Sequence, residues 1–287
     1  TLRVMLRIAI QSKGRLYEES MALLEEAGIK IPGGKRTLLV PARNFPVEVL
    51  FLRDDDIPES VASGVADVGI VGLNEVMEKR CPVGILKKLG FGKCRLSLAI
   101  PQDIDYQDRN WFSGKKIATS YPGILSDYLH KNGIVSDIHV ITGSVEIAPG
   151  IRLADAIFDI VSSGSTLVSN RLKEVETVVE SEAVLIGTDS ISPEKRGILD
   201  ELLFRFDSVQ AADDKKYILM NVPQKKLNDV LSVLPGIKSP TVMPLADKEW
   251  CSVHTVLDEK CFWEIINRLK TAGAEGILVL DIEKMIL

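Results

Sequence analysis

The chain has 287 residues, 46% hydrophobic and 26% charged, enough to bury the cores of two or three domains and far from compositions that stay disordered. A net charge of −5, with no block of like charges, excludes a protein built to neutralise a nucleic-acid backbone, so an anionic ligand must be met by local cations. Four cysteines without a CxxC pair and only three histidines offer no metal framework, and no stretch approaches the ~20 apolar residues of a membrane span.

The opening TLRVMLRIAIQSKGR lacks the long apolar core and small-residue cleavage site of a signal peptide, and with unpaired, reduced thiols this gives a cytoplasmic expectation. Leu2 to Ile10 alternates as a strand, Gln11-Ser12-Lys13-Gly14-Arg15 forms a loop, and Leu16 to Ala27 has helical spacing until Gly28 stops it. LLVPAR and VEVLFLR read as paired strands, DDDIPESVASGVAD as a short helix with acidic residues at its start, and VGIVG as a buried strand. A second unit starts near CRLSLAIP: KKIATS is a strand, PGILSDYLHKNGI a helix, IHVITG a strand, and AIFDIV a strand that runs into SSGST and a helical turn. VETVVESEAVLIG is one or two extended runs, long enough to return the chain to the first unit.

After about Ala211 the order becomes βαββαβ, a ferredoxin-like arrangement, with Asp258 as N-cap and Gly273 as C-terminal stop of its second helix. The expected fold is therefore α/β, with two lobes of the periplasmic-binding-protein kind and a ferredoxin-like C-terminal domain. Residues 1–93 and 187–210 form the first lobe, 94–186 the second and 211–287 the C-terminal domain.

Chemistry concentrates in FDIVSSGSTLVSN. Gly164 permits backbone angles closed to other residues, and Ser162, Ser163, Ser165 and Thr166 add hydroxyls and successive N–H groups, the donors a phosphate monoester needs. Asp159 and Asp155 lie on one side of this segment and could hold ribose hydroxyls. Serine and glycine equally end a strand in a plain turn, with Asp159 as its cap. Lys13 and Arg15 place two cations after the first strand, where a solvated turn is the alternative. The Asp54-Asp55-Asp56 triplet suits a helix start better than a metal site, and Asp67 suits either a strand-end cap or a ligand contact. Tyr121, at a strand-to-helix turn, could stack on a base or simply pack.

The segments IAIQSKGRL, FLRDDDIPESVASGVADVGIVG, FGKCRLSLAIP, KKIATSYPGIL, TGSVEIAP, LADAIFDIVSSGSTLVSN, LPGIKSPTVMPL and ILVLDIEKM together resemble the ATP phosphoribosyltransferase family, in its long form with a C-terminal regulatory domain. They run through nearly the whole chain in the family's order. The resemblance implies a Mg²⁺-dependent glycosyltransferase in which N1 of ATP displaces pyrophosphate from C1 of phosphoribosyl pyrophosphate, the first step of histidine biosynthesis. It implies that Asp159 to Thr166 bind the ribose 5-phosphate with Asp155 nearby, that Lys13 and Arg15 face phosphates, and that Glu146 meets the ribose or Mg²⁺. Arg53, Asp67 and Tyr121 take nucleotide positions, while Ser239 and Thr241 lie near a histidine effector. It further implies a homo-oligomer, dimeric when active and hexameric when inhibited by histidine, with no nucleic-acid or membrane partner. Leu73 in GIVGLNEV stands where the family's GxxGEN pattern has Glu, so no metal ligand is assigned. The rival reading is a non-enzymatic two-lobed small-molecule receptor or sensor, since fold alone does not decide function.

Overall fold

A computed structural model describes residues 4–32, 37–235 and 240–287. The chain divides into two compact units, Thr1–Glu201 and Leu202–Leu287.

The first unit contains two sheets. One is built from β1 (Leu6–Gln11), β2 (Leu39–Pro41), β3 (Val47–Leu52), β4 (Val68–Gly72) and β5 (Gly84–Lys88), accompanied by α1 (Arg15–Glu26), α2 (Ile57–Ala62) and α3 (Leu73–Lys79). The other contains β6 (Cys94–Pro101), β7 (Lys116–Thr119), β8 (Asp137–Val140), β9 (Ala156–Val161) and β10 (Leu172–Ser181), with α4 (Pro122–Lys131) and α5 (Ser165–Ser169). β11 (Ala183–Gly187) then rejoins the first sheet, giving the orders β2-β3-β1-β4-β11-β5 and β10-β6-β9-β7-β8.

These placements follow from apolar patterning. β4 pairs parallel with β1 and antiparallel with β11, and Val68, Ile70 and Val71 are all fully buried, which is why VGIVG has no polar alternation. In the second sheet, Leu96, Leu98 and Phe158 pack with Phe112, Ile117 and Leu125 on one face, while Ala99, Ile157 and Val161 meet Leu167 and Val145 on the other. The expected second lobe, 94–186, therefore needs correction at its end. Residues 183–186 belong to the first sheet, because AVLIG is buried along its whole length and fits an interior strand, whereas β10 is only partly covered.

The chain crosses between the sheets twice, and the crossings bond to each other. Leu89 N–H donates to the Ala183 carbonyl at 2.9 Å and Ala183 N–H to the Phe91 carbonyl at 2.9 Å. A second junction joins α3 to α4: both carboxylate oxygens of Glu78 accept the first free N–H groups of α4, from Gly123 at 2.8 Å and Ile124 at 2.9 Å. Arg80 adds bonds to the Gly123 carbonyl and to Asp127.

α6 (Pro193–Ala212) carries the chain across the division at Glu201, upstream of the expected 210/211 boundary. In the second unit β12 (Lys215–Pro223), α7 (Leu227–Val233), β13 (Thr241–Pro244), β14 (Trp250–Asp258), α8 (Glu259–Ala272) and β15 (Glu275–Asp281) follow one another. The antiparallel order β13-β14-β12-β15 is the ferredoxin-like one. Ile218, Met220, Val222 and Val253 pack with Val230, Phe262, Ile265 and Leu269. Gly273 ends α8 with φ of 108°, as expected of a left-handed stop. Asp258 occupies the N-cap position, but its carboxylate bonds to Lys215 and makes no bond to a helix N–H.

Phe158 is fully buried at the centre of the second lobe. Phe158→Ala is expected to cost about 3–5 kcal/mol in denaturant unfolding of the first unit; a loss below about 1 kcal/mol would show that this core does not hold the lobe.

Candidate active site

In the first sheet the parallel strands β1, β3 and β4 all end at one edge, and the segments that follow them are Gln11–Arg15, Arg53–Asp56 and Gly72–Glu75. Ligands of open parallel sheets bind at that carboxyl edge. A cavity of about 260 Å³ lies there, lined from the first lobe by Gln11, Arg15, Glu19, Asp54, Asn74 and Glu75, and from the crossing and second lobe by Lys93, Cys94, Ile160 and Ser162. Cations and carboxylates thus share one small space. Arg15 Nε bonds Glu19 Oε1 at 3.1 Å, while Glu19 Oε2 is buried with no hydrogen-bond partner among the described residues, an oxygen that favours a ligand bringing a donor.

β9 brings Ile160 and the start of the loop behind it, Ser162, to this cavity, with Asp159 next to Ile160 in the strand. Gly164 has φ of 80° at the N-cap of α5, and the Ser165 N–H that opens the turn reaches the Ser163 hydroxyl at 3.4 Å. A Cβ at Gly164 would make only ordinary contact, with Val161 at 3.9 Å, so the backbone angle and not crowding within the protein selects glycine. The Ser163 and Ser165 hydroxyls lie 3.0 Å apart. Arg95 fixes the loop's start by donating to the Ser162 carbonyl at 3.2 Å, and a bidentate pair with Glu174 holds Arg95 in turn. That guanidinium lowers the Glu174 carboxyl to about 2. Asp159 behaves oppositely: burial, with the charge of Glu146 adding to it, pushes its carboxyl up to about 6, although the Ile160 N–H it accepts acts the other way.

Between the lobes lies a buried polar cluster. The Tyr121 hydroxyl donates to Glu75 Oε1 at 2.9 Å, Asn74 Nδ2 reaches the Tyr121 hydroxyl at 3.2 Å, and the Ser181 hydroxyl donates to Asn74 Oδ1 at 2.8 Å. Burial raises Glu75 above the usual carboxylate range, against the bond from Tyr121. Burial and the Glu75 charge raise the tyrosine, which stays protonated and donates.

Two family models match successive parts of the chain: ATP phosphoribosyltransferase over residues 53–208 and the C-terminal domain of the same family over 212–284. An ATP phosphoribosyltransferase of Bacteroides fragilis is 70% identical over 283 residues, 99% of this chain and 100% of its own. One from Phocaeicola vulgatus is 71% identical over the same shares. The chain belongs to the ATP phosphoribosyltransferase family. Among solved structures, the ATP phosphoribosyl transferase (HisG:HisZ) complex from Thermotoga maritima matches with a TM-score of 0.60 and 27% identity, covering 70% of this chain and 98% of that one. The C-terminal match makes this the long form, and the near-identical lengths and names of the relatives disfavour a receptor.

For a phosphoribosyltransferase of this family the expected residues separate into two groups. Arg15 and Ser162 line the cavity; Asp159 sits on β9 three residues before Ser162, with Glu146 close enough to act on it. Lys13 is exposed on the same loop as Arg15. Arg53 is at that edge too, but exposed and paired with Asp55 at 3.2 Å. The Asp54–Asp56 triplet forms a 3-10 turn leading into α2, consistent with its reading as a helix start.

Three expectations need correction. Asp155 precedes β9, where its carboxylate accepts the Lys116 N–H at 2.8 Å; four residue steps of extended chain, ~13 Å, lie between it and Asp159. Asp67 precedes β4 at the opposite edge of the sheet, held by the Arg7 N–H at 2.7 Å and by Lys195. The Tyr121 ring is 7% exposed in the core of the second lobe and presents no open face to a base, because its side chain packs inward to reach Glu75. In the second unit Thr241 lies opposite His254, whose ring nitrogens meet Ser252 and Tyr217; Ser239 lies outside the described residues. Sequence reasoning missed Glu19, Asn74, Glu75 and Lys93. For Glu75 a signal existed: a carboxylate in the first helical turn after a wholly apolar strand.

The Asp159 carboxyl gives a pH test. Its folded value, about 6, is above the ordinary 3.8, so the stability linked to its proton is present below pH ~4 and lost as pH rises through ~6. Asp159→Asn is expected to stabilise the protein by about 3 kcal/mol at pH 8, with the gain vanishing near pH 4 in unfolding titrations; a pH-independent difference would contradict the buried carboxylate.

Proposed function

We propose that this chain transfers the phosphoribosyl group of phosphoribosyl pyrophosphate to N1 of ATP, giving phosphoribosyl-ATP and pyrophosphate in the first step of histidine biosynthesis. The observation that carries this reading is the cavity that Ser162, within the Asp159–Thr166 segment, shares with Arg15 and Lys93. A hydroxyl-rich turn at a left-handed glycine suits the 5-phosphate, and Asp159, ionised above pH ~6, accepts hydrogen bonds from the ribose hydroxyls. Arg15 and Lys93 face the departing pyrophosphate.

The displacement needs no covalent nucleophile. As the C1–O bond weakens, positive charge grows on the ribose and negative charge on pyrophosphate, so the protein's task is to hold two substrates in line and to stabilise both charges. Asp159 and Glu146, whose mutual repulsion a cation relieves, would be the residues to hold a Mg²⁺, which would supply neutralisation of the charge on the leaving pyrophosphate. Among the described residues no group of three or more His, Cys, Asp or Glu makes a metal site of protein ligands alone.

The C-terminal unit is the histidine sensor in this reading, with Thr241 beside the effector and Ser239 as its neighbour in sequence. Inhibition requires that histidine bind one arrangement of a homo-oligomer better than another, the inhibited hexamer over the active dimer. Among the described residues no helix is long and apolar enough to cross a membrane.

Pyrophosphate release from ATP, phosphoribosyl pyrophosphate and Mg²⁺ tests the activity, and its absence would overturn the reading. Asp159→Asn and Gly164→Val are expected to lower kcat/KM by roughly 10²-fold or more, the valine through its strained positive φ. Asp155→Asn and Asp67→Asn, at the far strand ends, should change it by less than about threefold. Added histidine should suppress release, and Thr241→Val should weaken that suppression; insensitivity of the wild type to histidine would remove the sensor role alone.

A further inference from the structure

Glu75 has no part in the mechanism above, yet it is 6% exposed and lines the cavity. Its Oε1 takes two donors, the Tyr121 hydroxyl at 2.9 Å and Asn74 Nδ2 at 3.1 Å. Asn74 is itself fixed by Ser181, whose hydroxyl donates to Asn74 Oδ1 and accepts the Asn74 N–H at 3.1 Å. With both donors on Oε1, the carboxylate is locked in orientation, and Oε2 has no hydrogen-bond partner among the described residues. An oxygen left without a partner on a side chain 6% exposed favours a ligand that supplies an N–H or O–H.

The neighbours narrow the ligand. At about 260 Å³ the cavity is below the ~300–1,000 Å³ of pockets that enclose whole drug-sized molecules, so it takes a single ring with the remainder of the ligand outside. The Tyr121 hydroxyl bonded to Glu75 also feels the charge of Asp159, so Asp159 lies within electrostatic reach of this cluster. If Asp159 holds the ribose, the group held by Glu75 lies next to the reacting carbon. In adenine the 6-amino group is attached to the carbon adjoining N1, so a carboxylate that accepts from the amino group sets N1 beside its target.

We infer that Glu75 accepts a hydrogen bond from the 6-amino group of the adenine of ATP and aims N1 at C1 of the ribose, an assignment that rests on the activity proposed above. In the step, the N1 lone pair forms the N1–C1 bond while the C1–O bond breaks and its electron pair leaves on pyrophosphate. Positive charge from N1 alkylation spreads over N1, C6 and the amino nitrogen, next to the Glu75 carboxylate. The hydrogen bond therefore strengthens as the reaction proceeds. Tyr121 and Asn74 act through Glu75 as positioning residues.

The test compares ATP with purine riboside triphosphate, which keeps N1 and lacks the amino group, using the ratio of kcat/KM values so that the analogue's own reactivity cancels between variants. Glu75→Gln is expected to lower the ATP-to-analogue ratio at least tenfold, and Tyr121→Phe to lower it by a smaller factor. A merely structural Glu75 would depress both substrates equally and leave the ratio unchanged, which would overturn the inference. If thermal melting shows that Glu75→Gln does not fold, the ratio in Tyr121→Phe decides, and an unchanged ratio there is equally fatal. Wild-type protein that forms no product from ATP would instead refute the proposed activity, and this assignment would fall with it.

Discussion

Two short crossings, held together by the hydrogen bonds of Ala183 to Leu89 and Phe91, determine where the two sheets of the catalytic unit meet. Backbone bonds of this kind leave little freedom in register: β5 and β11 must pair in the first sheet while β6 and β10 pair in the second. The carboxyl edge of β1, β3 and β4 then comes to face the end of β9. Lys93 and Cys94 reach the cavity because they lie on a crossing itself, and Gly92 is in the left-handed region with Leu16 and Ala183 packed about it.

Charge is distributed within this frame so that one cavity can meet both partners of a displacement. Arg15 and Lys93 offer cations; Glu19, Asp54 and Glu75 offer carboxylates, and Ser162 brings in the start of the loop that follows β9. Such a mixture is expensive to assemble empty, as the unpartnered Glu19 oxygen and the raised carboxyl groups of Asp159 and Glu75 show. The cost is held by supports outside the cavity: Glu174 behind Arg95, Ser181 behind Asn74, and Glu78 capping α4 from the opposite lobe. Preorganisation of this kind is what a reaction without a covalent intermediate requires.

Local chemistry made much of this legible from sequence. AIFDIVSSGST had to leave a strand through a left-handed glycine, and Gly164 does so at φ of 80°. VGIVG had to be an interior strand because no residue in it is polar, and the βαββαβ order of the C-terminal unit followed from alternating periods of two and 3.6. The errors arose where position along a strand mattered more than residue type. Asp155 and Asp159 share a side of β9 yet lie at its two ends, and only the end that carries the loop reaches the cavity. Asp67 failed for the same reason. Tyr121 was visible as an aromatic at a turn, but its inward orientation depends on Asn74, Glu75 and Ser181, partners from distant parts of the chain that no local pattern brings together.

Amide hydrogen exchange with and without phosphoribosyl pyrophosphate and Mg²⁺ tests the location of the site most directly. Binding at the meeting of the two sheets predicts slowed exchange in 162–168 together with 11–16, while the strand starts around Asp67 and Asp155 stay as they were. Protection confined to those far strand ends, or to the C-terminal unit, would contradict the placement of the active site in this cleft.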